Sequence, residues 1–190
     1  MRIAISGTIG SGKTTVCDYL RSKGFKIFDC DECNRELLLI NNAGYKALVE
    51  AFEDILDEDL NIDKAKLSSI VFSDKDKLAK LNAIMHPLIL EAMLKEAENA
   101  EIFIAEVPLL FETEFKNYFD YKLLIACEDK IAIKHLNKRG FSEKEAKDRI
   151  AKQMNVKEKI KLADYVIYNN QDIATLLSNV DLWLERMGLC

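Results

Sequence analysis

The amino-acid sequence predicts an α/β fold with a central parallel sheet, and three observations carry that expectation. Apolar runs of strand length at residues 2–6 (RIAIS), 102–107 (IFIAEV), 122–126 (KLLIA) and 165–168 (YVIY) alternate with helical text. The runs at 102–107 and 122–126 are nearly continuous rather than alternating, as strands buried on both faces are. A glycine-rich loop joins the first run to the first helix.

In chain order, residues 2–6 read as a strand that stops at Gly7. Val16, Tyr19 and Leu20 recur at helical spacing across residues 13–23, and Gly24 ends that helix. Residues 25–28 make a second short strand, delivering Asp29 and Asp31 at its C-terminal end. Residues 33–99 are helical almost throughout, with Leu37, Leu48, Phe52, Leu67, Ile70 and Leu78 among the recurring apolar positions, so a long helical insertion is expected. Within it, Pro87 biases His86 away from helical geometry and predicts a break or kink. After the strands at 102–107 and 122–126, Ser142 and Glu145 have capping-box spacing and open a helix to Met154. Residues 165–168 form the last strand, and a C-terminal helix follows around residues 173–187. Two prolines and seven glycines in 190 residues leave little material for a linker, and no repeat is visible, so one compact domain is expected.

The charge balance is 27 Lys+Arg against 32 Asp+Glu, a net −5, which argues against a protein that coats DNA or RNA. With 49% hydrophobic and 31% charged residues, the chain has the balance of a globular protein with one good core. No apolar run reaches the roughly 18 residues of a membrane span, and MRIAISGTIG lacks the features of a signal peptide, so a cytoplasmic location is expected. Five cysteines, an odd number, fit reduced thiols of structural or incidental role. Cys30 and Cys33 form a C-x-x-C, but no second pair or histidine cluster completes a zinc site. The net charge hides an asymmetry. Residues 29–63 carry 11 acidic against two basic residues, net −9, and residues 130–161 carry 11 basic against four acidic, net +7. The basic stretch suits a polyanionic nucleotide.

Residues 7–14 (GTIGSGKT) match G-x-x-x-x-G-K-[ST] between a predicted strand and a predicted helix, the context that the motif requires. Gly7, Gly10, Ser11 and Gly12 let the backbone fold into a nest of N–H groups aimed at phosphate oxygens, and the helix opening at Lys13, Thr14 and Thr15 adds its positive end. Lys13 would bridge the β- and γ-phosphates, and Thr14 would ligate Mg²⁺. The motif points to a nucleoside triphosphate and leaves the acceptor open. Of Asp29 and Asp31, at a strand's carboxyl end, either one orients or deprotonates an acceptor hydroxyl while the other helps hold Mg²⁺ through water, or they serve as the N-cap and first-turn acid of the next helix. Glu106, ending the run at 102–105, is either a carboxylate reaching Mg²⁺ through water or a cap. His86 is either a substrate contact or a hydrogen-bonded residue at a helix boundary. Arg139, beside Gly140 after a basic helix, is placed to clamp a transition state under a closing lid.

Taken with residues 28–35 (FDCDECNR), 81–89 (LNAIMHPLI), 108–112 (PLLFE), 149–153 (RIAKQ) and 163–169 (ADYVIYN), the loop resembles that of the dephospho-CoA kinase family along nearly the whole chain. PLLFE and the LNxxxHPLI segment are far more particular to that family than the loop is. The resemblance implies a P-loop kinase fold, with a five-stranded parallel sheet flanked by helices, a helical substrate-binding insertion and a helical lid. The core would comprise residues 1–32, 100–128 and 163–190, the CoA-binding insertion about 33–99 and the lid about 129–162. It implies ATP-dependent phosphorylation of the ribose 3′-hydroxyl of dephospho-CoA with Mg²⁺. Asp31 would be the base, with Lys13 and Arg139 also catalytic. Asp29, Arg35, His86, Pro108 and Leu109 would bind the acceptor, and Thr14 and Glu106 the metal. No nucleic-acid or membrane partner is expected, and the assembly would be a monomer or weak homo-oligomer. Two positions depart from the family: His135 stands where an arginine is common, and Thr8 where glycine is common. A nucleoside monophosphate acceptor would want an arginine cluster, but residues 29–63 offer only Arg35 with Lys46. A GTP-dependent switch would carry N-K-x-D, which this chain lacks.

Overall fold

A computed structural model describes residues 1–189; Cys190, counted above among the incidental cysteines, lies outside them. Five strands form one sheet: β1 Arg2–Gly7, β2 Ile27–Asp29, β3 Phe103–Glu106, β4 Tyr121–Ala126 and β5 Tyr165–Tyr168, in the order β2-β3-β1-β4-β5. β1 pairs in parallel with β3 and β4, and β4 with β5. The helices are α1 Lys13–Ser22, α2 Cys30–Leu37, α3 Ala43–Ala51, α4 Lys64–Phe72, α5 Lys75–Ala97, α6 Asp129–Lys138, α7 Glu143–Ala151, α8 Val156–Leu162 and α9 Ile173–Met187. The α/β class with a five-stranded sheet flanked by helices is the one expected.

The chain divides into two compact units, Met1–Phe28 with the chain from Ala100 onward, and Asp29–Asn99. In the first, Ile3, Ile5, Ile104, Leu123, Ile125 and Ile167 project from the sheet into a core that Val16 and Leu20 of α1 and Leu176, Val180 and Trp183 of α9 complete. Each fully buried side chain of this kind contributes about 1.5–3 kcal/mol, which outweighs modest local propensities. In the second unit α2, α3 and α4 each pack on α5. Asp63 and Asp74 cap α4 and α5 by accepting N–H groups of their first turns. No helix among the described residues is long and apolar enough to cross a membrane.

Three expectations need correction. β2 begins at Ile27 rather than Phe25, because α1 ends in a Schellman motif: Gly24 N–H donates to the Arg21 carbonyl at 3.0 Å and Phe25 N–H to the Leu20 carbonyl at 3.1 Å, leaving Phe25 in the cap. Of the break or kink expected at His86 and Pro87, the break does not occur. α5 runs as one helix of 23 residues with Pro87 inside it, because Met85, Ile89 and Met93 are buried on both sides of the proline and hold the chain helical. The helix expected to reach Met154 stops at Ala151, and Asn155 caps a separate α8 by accepting the Lys157 N–H at 2.9 Å.

Candidate active site

The loop between β1 and α1 is shaped by what presses on it. Gly10 and Gly12 have φ of +76° and +93°, and side chains there would also collide with neighbours. A Cβ at Gly10 would lie 2.8 Å from the Ala132 carbonyl of α6, and one at Gly12 would lie 2.6 Å from Asn169 Nδ2. Three successive residues of the loop are held by side chains from distant parts of the chain. Gln153 Oε1 accepts the Ile9 N–H at 2.9 Å. His135 Nδ1 lies 2.8 Å from the Gly10 carbonyl, to which it donates when that nitrogen carries the proton. Asn169 Nδ2 donates to the Ser11 carbonyl at 2.9 Å, and Asn169 N–H to the Ala126 carbonyl at 2.8 Å, which fixes it at the end of β5. The loop is thus preorganised before any ligand arrives.

No side chain caps α1 at its N-cap, Gly12. Its first-turn N–H groups and positive dipole end therefore suit an anion. Lys13 pairs with Glu106, the last residue of β3, whose other oxygen lies 3.6 Å from an Arg21 nitrogen. Glu106 is 5% exposed. Burying a carboxylate is tolerable here because two cations face it. Cys17 lies next to this group, and its thiol is pushed far up in pKa, first by burial and then by the Glu106 charge. A cavity of about 730 Å³ opens beside the loop, lined by Gly12, Thr15, Lys134, His135, Arg139 and Gln171 among others. That is ample for a nucleotide. Arg139 occupies the C-cap of α6 and is exposed.

Pro108 and Leu109 follow β3 in the same unit. The Pro108 carbonyl accepts the Ser6 hydroxyl at 3.3 Å, one residue before the loop, and Leu109 is 50% exposed. The other predicted acceptor residues belong to the second unit. Asp29 is the N-cap of α2, its Oδ1 accepting Asp31 N–H at 2.8 Å and Glu32 N–H at 3.0 Å. The capping reading of Asp29 therefore holds, while Asp31 stands exposed in the first turn of the same helix. Arg35 pairs with Glu32 at 2.7 Å. His86 is half-buried within α5, and burial lowers its pKa below the usual imidazole range.

The structure thus brings Gly7, Gly10, Ser11, Gly12, Lys13, Thr14, Thr15, Glu106, Pro108, Leu109 and Arg139 into the first unit, and Asp29, Asp31, Arg35 and His86 into the second. Sequence reasoning missed the three loop-holding residues as such. Gln153 and Asn169 lay inside segments singled out above, and His135 was noted only as a departure. The signal for Asn169 was a polar residue directly after a predicted strand.

A sequence profile described as dephospho-CoA kinase matches residues 1–175. The dephospho-CoA kinase of Oceanobacillus iheyensis is 38% identical over 194 residues, covering 98% of each chain. Among solved structures, a Thermus thermophilus protein superposes with a TM-score of 0.86 at 29% identity, covering 98% of this chain and 97% of its own. Dephospho-CoA kinase from Campylobacter jejuni does so with 0.71 at 26%, covering 98% and 96%. With a profile spanning most of its length and relatives of this identity and coverage, the chain belongs to the dephospho-CoA kinase family.

Proposed function

We infer that this chain transfers the terminal phosphoryl group of ATP to the ribose 3′-hydroxyl of dephospho-CoA, giving coenzyme A and ADP, and that Lys13, Arg139 and Asp31 are its catalytic groups. Family membership supports the reaction. The observation that carries the ATP half is the loop held at Ile9, Gly10 and Ser11 beside a nucleotide-sized cavity. In the reaction the acceptor oxygen bonds to the γ-phosphorus, the bond from phosphorus to the β-bridging oxygen breaks, and ADP leaves. The hydroxyl proton goes to the Asp31 carboxylate. Little covalent chemistry falls to the protein, so its work is positioning and charge neutralisation.

Lys13 would exchange Glu106 for phosphate oxygens, and Arg139, from the rim of the cavity, would clamp the charge that develops on the transferred group. Thr14 and Glu106 offer hard oxygen donors that suit Mg²⁺, an ion usually held by one or two protein oxygens plus substrate phosphates. Among the described residues no cluster of three or more His, Cys, Asp or Glu forms a complete metal cage, and such an arrangement does not need one. When bound, the ion would neutralise the β- and γ-phosphates. We assign residues 129–162 as the lid and residues about 33–99, within the unit Asp29–Asn99, as the insertion that binds the CoA portion, in a cytoplasmic enzyme.

An ADP-release assay with Mg-ATP and a panel of acceptors tests this. Dephospho-CoA should stimulate release strongly, and AMP, CMP, adenosine and water should not; no stimulation by dephospho-CoA sinks the reading.

A further inference from the structure

Lys159 of α8 is fully buried, and its ammonium meets Glu112 Oε1 at 2.7 Å. The same oxygen accepts the Met154 N–H at 3.2 Å. An ion pair whose cation is buried and whose carboxylate is partly exposed is a poor source of stability, because the buried charge is desolvated and apolar residues of similar volume commonly serve as well. It does supply direction. One carboxylate oxygen ties the segment after β3 to two points of the stretch that enters and forms α8, and Gln153, whose side chain accepts the Ile9 N–H, is bonded directly to Met154. Contacts therefore run from Lys159 through Glu112, Met154 and Gln153 into the phosphate loop. At its other end, the same 108–112 segment meets Ser6 through the Pro108 carbonyl.

We propose that Gln153 is a positioning residue for nucleotide binding and that the pair of Glu112 with the buried Lys159 is its strut, joining the segment of Pro108 and Leu109 to the phosphate loop. This rests on the kinase reading above. The loop's phosphate-facing N–H groups act only if the peptide chain before them is held in one conformation, and Ile9 lies within that chain. Without an acceptor its N–H competes for other partners, and the nest loses its preorganisation. Gln153 lies in the short stretch between α7 and α8, where its N–H donates to the Ile150 carbonyl at 3.2 Å, and the strut fixes the residue that follows it, Met154.

The test is a double-mutant cycle on the full chain, titrating the β,γ-imido analogue of ATP with Mg²⁺ and no acceptor. Gln153→Ala should weaken binding about five- to tenfold. Glu112→Met with Lys159→Met should keep or raise Tm while weakening binding comparably, and all three changes together should cost no more than the larger effect alone. In turnover assays Gln153→Ala should raise KM for ATP and leave KM for dephospho-CoA unchanged, a split that general loosening would not produce. Unchanged binding in Gln153→Ala overturns the positioning role. Unchanged binding in the paired replacement, additive losses, or a paired replacement that no longer folds cooperatively overturns the strut. Because the titration contains no acceptor, it stands apart from the acceptor panel: lack of stimulation by dephospho-CoA would defeat the kinase reading and leave the cycle interpretable.

Discussion

Lys13 and Asp31 differ in what each touches, and that difference predicts how their loss will be seen. Lys13 stands at the first residue of α1 against a buried carboxylate that also faces Arg21, so the site is electrostatically balanced before phosphate arrives. Replacing Lys13 by Ala leaves Glu106 facing the more distant Arg21 and removes the cation meant for the phosphates. Both ATP affinity and turnover should fall. Asp31 is exposed in the first turn of α2, a helix capped by Asp29 rather than by Asp31 itself. Asp31→Asn should therefore preserve the cap, the fold and ATP binding while lowering kcat by about two orders of magnitude, the scale of a lost general base. Isothermal titration with nucleotide alongside steady-state kinetics separates the two cases. Wild-type turnover from Asp31→Asn would remove that carboxylate from the mechanism. His135 shows why single residues are hard to read from sequence. Its contact is with a backbone carbonyl 125 residues away, and no local pattern announces such a partner.

At the scale of elements, signals legible in sequence were those that act locally. The near-continuous apolar runs became β3 and β4, and Ser142 with Glu145 formed the capping box of α7 with both reciprocal bonds in place. What escaped was decided by packing or by competition between neighbouring signals. The Schellman cap of α1 took Phe25 out of β2, and Asn155 started a helix where a longer α7 was expected. The clearest conflict is α5. Pro87 lacks an N–H for the Ala83 carbonyl and crowds the preceding turn, yet the helix continues because the apolar stripe of Met85, Ile89 and Met93 is buried. Tertiary burial therefore offsets a local cost of about 3 kcal/mol. Pro87 is itself exposed, so Pro87→Ala should restore the missing bond without disturbing a packed neighbour. Some of the gain is returned through a freer unfolded chain. The net stabilisation should be about 2 kcal/mol, read as a rise of several degrees in Tm. A Tm equal to or below that of the parent would mean that α5 already accommodates the proline at no cost.

Across the whole chain, the modest net charge of −5 averages two stretches of opposite sign, and the structure gives the positive one a place. Lys134, His135, Lys138 and Arg139, from the last turns of α6 and its cap, line the same cavity as Gly10 and Gly12 of the phosphate loop. Several of the other lysines are committed elsewhere: Lys130 to Glu128, Lys147 to Glu143, Lys159 to Glu112 and Lys161 to Glu158. The cations at the cavity act on an incoming triphosphate partly through open solvent, where a Debye length of about 10 Å at 0.1 M salt limits their reach. Capture of ATP should therefore be salt-sensitive. Raising NaCl from about 20 to about 300 mM should slow association and raise KM for ATP several-fold, because steering is an ionic-strength-dependent rate effect. Adenosine, which carries no phosphate, should bind with an affinity that changes little over the same range. The neutral ligand separates field from fold, since salt that loosened the cavity itself would weaken both. Replacing Lys134 and Lys138 together by Gln should flatten the ATP salt dependence while leaving adenosine where it was. A salt response equal for the two ligands would show that the basic stretch does not steer the nucleotide.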